Sequence, residues 1–498
     1  MTVVTKNMAK LMVSAVLLGW VLGAATAGAQ EASKFADVTA ETGMAKLLEE
    51  KYQADPKWWL SGVDLVDLDG DGALDLFLGA HGGGRALAAL NDGKGRFTAA
   101  KGTYPDREIY VWGDLDEDGR MDLLVTHEDG AGRWWMNEST KGELRFRKTE
   151  VGAPRARANA LIDLDRNGRV DWLHEGDSGI VFEMGDGRGG FKKGAGLPVV
   201  KSHNETNVIP VDVNGDGFVD LLVHWGRYEF VEGKSRIYLN NGKGGFVDST
   251  KACGLEEDGL AIKGVGDVNA DGAVDLLVIE HKRPVIYLND GPGHFTKRTD
   301  ALKGMEAARM PAYASWGMAV VTDFDNDGVP DILWNGRNFL WVLRGIGDGT
   351  FEYVNKRWGI EDLSAASVDD GICFGDFDGD GDLDIIGYAG KSGHERWLRV
   401  YRNDVARGNW LDLRLIGAKG NRGAAGAKIR VSDGGKLLAY EQVLNVGSQA
   451  AHSYFISSVT QRHFGLGARK TVDVSVEFYP SGKVVERTGV AGAIELKE

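Results

Sequence analysis

A nine-residue pattern, D-x-[DN]-x-[DN]-G-x-x-D followed by an apolar run, recurs seven times in this chain of 498 residues. Self-similarity at a near-fixed period constrains a fold strongly, because every unit must bury its apolar face against the next. The copies are Asp67, Asp69, Asp71, Gly72, Asp75; Asp114, Asp116, Asp118, Gly119, Asp122; Asp163, Asp165, Asn167, Gly168, Asp171; Asp212, Asn214, Asp216, Gly217, Asp220; Asp267, Asn269, Asp271, Gly272, Asp275; Asp323, Asp325, Asp327, Gly328, Asp331; and Asp376, Asp378, Asp380, Gly381, Asp384. Their first aspartates stand 47, 49, 49, 55, 56 and 53 residues apart.

Each unit reads as four strands. An apolar run such as Ser315–Val321 precedes the loop, and a second strand such as Asp122-Leu123-Leu124-Val125 follows it. A third ends in Asn, as at Asn240 and Asn289, and a Gly-rich hairpin leads to a fourth strand opened by Phe, as at Phe97, Phe246, Phe295 and Phe351. The 71 Gly against 10 Pro fit many tight turns and exclude a collagen-like or Pro-rich chain. The expectation is an all-β fold: a seven-bladed β-propeller followed by a small C-terminal β-domain. The seventh unit lacks its Phe-led strand, while Phe35-Ala36-Asp37-Val38-Thr39 stands alone at the N-terminus and matches Phe246–Thr250. We therefore expect this N-terminal strand to close the last blade and leave no open edge.

Oxygens at positions 1, 3 and 5 of a curled loop converge on one centre, position 7 adds its carbonyl, and the Asp at position 9 can complete the shell. Gly at position 6 permits the curl. Six to eight oxygens suit Ca²⁺, whereas Mg²⁺ keeps its waters more tightly. The start resembles an EF-hand loop, but that loop is longer, ends in Glu and lies between helices. Up to seven Ca²⁺ are expected. The loops hold 25 of the 73 acidic residues, and that charge would repel itself without cations. The alternative is a series of acidic β-turns with no metal. The net charge of −15 argues against a nucleic-acid partner.

The repeats resemble the FG-GAP/VCBS repeats of integrin alpha propellers, over about Phe35 to Asp404. That resemblance implies Ca²⁺ loops between the two innermost strands, on the lower face of each blade. From about Asn409 the loops stop, and Trp410–Ile416, Ala427–Ser432, Leu437–Leu444 and Val472–Phe478 read as strands. Gly426–Val431, His463-Phe464-Gly465-Leu466-Gly467 and Pro480-Ser481-Gly482-Lys483-Val484 resemble the ASPIC/UnbV domain of the cartilage acidic protein family and its bacterial members. The expected domains are a signal peptide over residues 1–29, the propeller over 30–404 and the ASPIC/UnbV-like domain over 405–498. Lys6 and Lys10, an apolar run over Leu11–Ala25 and Ala27-Gly28-Ala29 carry the signal reading, with an uncleaved anchor as the alternative. A secreted or periplasmic protein with no membrane span after cleavage follows. Cys253 and Cys373 fall in different units and read as buried thiols, not as a disulfide.

If the loops occupy one face, the opposite face collects Trp58, Trp59, His81, Tyr110, His127, Trp134, Trp135, Arg157, His174, His203, His224, Trp225, His281, Arg337 and His394. Aromatic planes with His and Arg suit sugars and carboxylates; packing between blades is the alternative use of the same residues. His463 reads as a core or turn histidine, since no nucleophile accompanies it. No catalytic residue is assigned. The leading expectation is a recognition or adhesion module for an extracellular glycan or protein. A carbohydrate-active lyase or dehydratase using His or Tyr on that face, and a structural protein whose cargo is calcium, are the alternatives. Oligomeric state is not legible.

Overall fold

The computed structural model describes residues 34–498 except 82–84, 106–109, 126–131, 154–158, 177–178, 199–204, 227–233, 256–259, 304, 306–317, 337–338, 361–371, 390–396, 419, 446–454 and 458–460. The signal-peptide reading lies outside the described residues. No helix among them is long and apolar enough to cross a membrane.

Seven sheets follow one another along the repeats; six are built on a four-strand antiparallel meander and the seventh on a three-strand one, and three of them carry an added parallel strand. The first runs Trp59–Val66, Asp75–His81, Leu87–Asn91 and Phe97–Ala99, paired in that order. Strand Asp75–His81 and its counterparts are apolar almost throughout, because both of their faces are covered. Each sheet packs on the next through a shared apolar cluster. One and two meet around Phe77, Trp112 and Phe146, and two and three around Trp134, Leu161 and Trp172. Later junctions centre on Leu173 and Val223, on Ile262 and Leu222, on Trp334 and Leu277, and on Phe324 and Phe374. The seventh sheet also packs on the first, joining Cys373, Ile386 and Leu398 to Leu65, Leu76 and Leu78. The architecture is all-β and propeller-like.

The N-terminal strand Phe35–Asp37 pairs antiparallel with Trp397–Asn403 of the seventh sheet, Phe35 opposite Asn403. Its connection to the first sheet contains a helix, Met44–Ala54, which the repeat pattern does not foresee. Met44 and Leu48 are fully buried where the first and seventh sheets meet. Cys253 and Cys373 are buried free thiols.

Beyond the repeats lie two small sheets. One orders Gln461–Gly467, Asn409–Ile416 and Gly492–Lys497; the other orders Lys436–Gln442, Lys428–Asp433, Val472–Glu477 and Val484–Val490. They enclose their own core around Leu413, Ile429, Val474 and Phe478. One segment of this region returns to the repeats: Phe455–Ser457 adds a parallel strand to Ile372–Gly375.

Candidate metal centres

Each aspartate loop is wound on its own backbone. The position-1 carboxylate accepts the N–H of the position-6 glycine in all seven copies, at 2.7–3.1 Å (Asp67 from Gly72, Asp163 from Gly168 and Asp323 from Gly328, for example). That glycine has φ between 85° and 95° throughout, as the curl requires. Position 4 is also left-handed, and there the residue is non-Gly in four copies: Glu117 (64°), Arg166 (61°), Ala270 (57°) and Asn326 (56°). An L-residue held at such φ stores about 1 kcal/mol or more of strain, so the loop's other bonds must over-determine it.

The Asp at position 9 does more than the sequence reading gave it. Asp75 Oδ2 accepts Leu68 N at 2.9 Å and its Oδ1 accepts Asn91 N at 2.8 Å, tying the loop to the third strand. The same two bonds recur at Asp122, Asp171, Asp220, Asp275, Asp331 and Asp384. All seven are essentially inaccessible. Burial, the largest cause, pushes the carboxyls of Asp75, Asp122 and Asp275 up to about 8 and those of Asp171 and Asp220 up to about 7; the neighbouring carboxylates add to it. Without a cation these loops favour protons.

Carboxylate oxygens converge within 4.8 Å in five loops: Asp67, Asp69 and Asp71; Asp114, Asp116 and Asp122; Asp163, Asp165 and Asp171; Asp323, Asp325 and Asp331; Asp376, Asp378 and Asp384. Asp116 Oδ1 and Asp325 Oδ1 are buried and have no hydrogen-bond partner among the described residues. An all-oxygen donor set with orphaned carboxylate oxygens fits a hard divalent cation. Loops four and five, where position 3 is Asn214 and Asn269, form no such cluster among the described residues.

The asparagine that ends the third strand joins neighbouring sheets. Asn137 Nδ2 donates to Met121 O and to Leu68 O of the preceding repeat, both at 3.1 Å, and its Oδ1 accepts Ser139 N at 3.0 Å. Asn289 reaches Val213 O and Asn403 reaches Phe324 O. Asn91 donates to Phe377 O at 2.7 Å, linking the first sheet to the seventh.

The C-terminal sheets lie over these loops, a placement with no sequence signal. Tyr479 Oη donates to Asp163 O at 2.8 Å, and Arg166 donates to Pro480 O at 2.9 Å. His463 bridges Asp412 at 2.7 Å and Asn326 of the sixth loop at 2.6 Å, so it is a buried interface histidine. Arg414 lies 3.9 Å from Asp67, and Trp410 packs so closely on Gly381 that no side chain fits there. These contacts put the aspartate loops on one side of the molecule. Between the C-terminal region and sheets four to six is a cavity of about 170 Å³, lined by Val211, Val265, Val320, Tyr440 and Arg462.

The expected ligand face is only partly as read. Trp58, Trp134, His174, His224 and Trp225 are buried, at 8% exposure or less. This corrects their reading as ligand groups: each side chain is packed against its neighbours and not presented to solvent. Trp134 stacks on Phe191 at 4.6 Å, Trp58 meets Tyr52 edge-on at 5.2 Å, and His174 stacks on Trp172 at 4.0 Å. Trp135 is half-buried beneath Lys148, and His281 stands exposed in a two-residue turn. His127, Arg157, His203, Arg337 and His394 fall outside the described residues, as do the side chains of Trp59, His81 and Tyr110.

The described sheets and loops are those of a repeat-built, aspartate-loop protein. The family described as FG-GAP-like repeat matches residues 67–125, 114–174, 267–334 and 323–387, and the family described as ASPIC and UnbV matches 417–497. The chain is an FG-GAP-like repeat protein with a C-terminal ASPIC and UnbV domain. It is 24% identical over 522 residues to cartilage acidic protein 1 of Mus musculus, covering 93% of this chain and 76% of that protein. It is 29% identical to human integrin alpha-6 over 137 residues, 25% of this chain and 12% of the integrin. A solved Agrocybe aegerita lectin described as recognising non-reducing terminal N-acetylglucosamine is 18% identical over 70% of this chain and 92% of its own, with a TM-score of 0.44.

Proposed function

We propose that the chain is a secreted, calcium-stabilised seven-bladed β-propeller over residues 30–404, closed by its N-terminal strand and followed by an ASPIC/UnbV domain over 405–498, after a signal peptide over 1–29. It serves as a recognition or adhesion module for an extracellular glycan or protein. The observation that carries the calcium reading is the convergence of three carboxylates within 4.8 Å in each of five loops, two of which hold an orphaned buried oxygen. The packing of the seventh sheet on the first, with the Asn91–Phe377 bond across the junction, supports closure. The cartilage acidic protein and integrin relatives support an extracellular setting.

Because the ASPIC/UnbV sheets cover the aspartate-loop side, the ligand binds on the opposite side, where His281 is exposed. Calcium would then set the shape of the scaffold without touching the ligand. A glycan array and a panel of extracellular matrix proteins, probed with the calcium-loaded chain, test this. The expected result is a hit weakened by His281→Ala with an unchanged melting temperature. Binding that is lost on masking the ASPIC/UnbV domain and indifferent to the opposite side would refute the face assignment.

A further inference from the structure

The fourth aspartate loop differs from the rest in how closely a buried cation faces its first carboxylate; in loop one the half-exposed Arg414 comes only within 3.9 Å of Asp67. Lys428, which opens the strand Lys428–Asp433 of the ASPIC/UnbV domain, places Nζ 2.6 Å from Asp212 Oδ2. Both residues are buried. The other bonds of that carboxylate go to its own loop: Oδ1 accepts Gly215 N at 2.7 Å and Oδ2 accepts Gly217 N at 2.8 Å. Gln442 then clamps the backbone of the same residue. Its Oε1 accepts Asp212 N at 2.9 Å and its Nε2 donates to Asp212 O at 2.7 Å. Asn214 donates to Asp216 at 3.1 Å, as Asn269 does to Asp271 at 2.8 Å in loop five, so the clamp and the lysine, not this bond, set loop four apart.

Loop six provides the contrast. Arg344 pairs with Asp325 and Asp327 there, yet it touches neither position 1 nor position 9. Asp325 Oδ1 stays without a partner, and Asp323, Asp325 and Asp331 still converge. Arg344 flanks a cation site, whereas Lys428 sits on the position-1 carboxylate of loop four. A divalent ion bonded to that carboxylate would stand a few ångströms from a buried ammonium, and like charges that close repel strongly where water is excluded.

We propose that loop four binds no calcium, and that the Lys428 ammonium takes the ion's place. The proposal rests on the calcium reading of the other loops. It makes Asp212 the fixed docking point of the ASPIC/UnbV domain, held by a salt bridge and the Gln442 clamp, and it limits the chain to six calcium ions.

Native mass spectrometry of the full chain at saturating calcium tests the count. Lys428→Met keeps the apolar stem and removes the charge. The wild type is expected to hold six ions or fewer, and Lys428→Met one more than the wild type. Seven ions on the wild type, or no gain in the variant, overturns the proposal. Should Lys428→Met fail to fold, anomalous scattering from calcium-grown crystals of the wild type decides: density at loops one or six without density at Asp212 supports it, and an ion bonded to Asp212 overturns it. A wild type that binds no calcium anywhere refutes the calcium reading of the proposed function, while the variant still decides this one by gaining an ion or not.

Discussion

Asn137 illustrates what single residues contribute that a repeat pattern does not announce. Its side chain satisfies two buried carbonyls and one N–H, and one of those carbonyls belongs to a residue 69 positions earlier. The recurrence of Asn at this place was legible; its partner was not, because only the packing of neighbouring sheets brings the two together. Asn137→Ala should cost about 2–4 kcal/mol, since buried polar groups lose their partners. Urea titrations should show that cost equally with calcium and with chelator. Asp116→Ala should instead cost stability in calcium and little in chelator. His174 gives a pH prediction. Its Nδ1 donates to Glu175 O at 2.8 Å, which leaves Nε2 as a buried lone pair without a hydrogen bond among the described residues, the nearest carboxylate being Glu183 at 3.9 Å. Burial lowers its pKa to about 4 from 6.5. The unfolded chain therefore takes up this proton first as pH falls. The neutral histidine's contribution is complete above about pH 6.5 and is lost between 6.5 and 4, by about 3 kcal/mol at most. His174→Gln should flatten that part of the stability profile relative to the wild type, as read from urea midpoints at pH 7, 5.5 and 4.5.

Among the elements, the meanders of the first six units followed from their apolar runs, turn glycines and strand-opening phenylalanines. The helix Met44–Ala54 did not. Its only large apolar residues buried in full are Met44 and Leu48, one turn apart, and they pack into the seam between the first and seventh sheets, a surface defined only after folding. Trp58, Trp134, His174, His224 and Trp225 are buried for a related reason. Strands covered on both faces need large side chains to fill the wedge between diverging sheets, so a residue near a strand end is as readily packing as recognition. The N-terminal strand was legible because its Phe-x-Asp-x-Thr pattern repeats Phe246–Thr250, and the likeness extends to structure: Thr39 Oγ1 bonds Asp37 as Thr250 Oγ1 bonds Asp248. Val38 N donates to Val400 O at 2.9 Å, Val400 N donates to Thr39 Oγ1 at 2.9 Å, and Phe35 packs against Trp358 with ring centroids 6.2 Å apart. A form starting at residue 40 should lose these bonds and expose an unpaired edge. We expect a melting temperature lower by several degrees or more and concentration-dependent association in size-exclusion chromatography. A truncated chain that melts and elutes like the parent would show that the strand does not hold the seventh sheet in place.

For the molecule as a whole, the ASPIC/UnbV domain and the aspartate loops form one interface. Asp163, Asp212 and Asn326, on three different repeats, each bond a residue beyond 420. Sequence could mark both partners of such an interface but not their meeting, because neither pattern encodes a complementary surface. The consequence is thermodynamic. The loops hold strained left-handed residues and carboxyls that burial raises as far as about 8, so without a counter-charge they oppose folding. An ion that binds only the folded state adds RT ln(1 + [L]/Kd), about 2.7 kcal/mol at a hundredfold excess over Kd. Ions at the five convergent loops would multiply that gain, and because the domain docks on the same loops, their loosening would weaken the interface as well. Chelation should lower the melting temperature by more than ten degrees and make the ASPIC/UnbV domain the first region to gain amide exchange. Calorimetry with and without chelator, paired with hydrogen exchange, measures both effects. An unchanged melt together with metal analysis finding no calcium would remove the cation from the account. A large shift with exchange confined to the repeats would keep the cation but break its link to the domain.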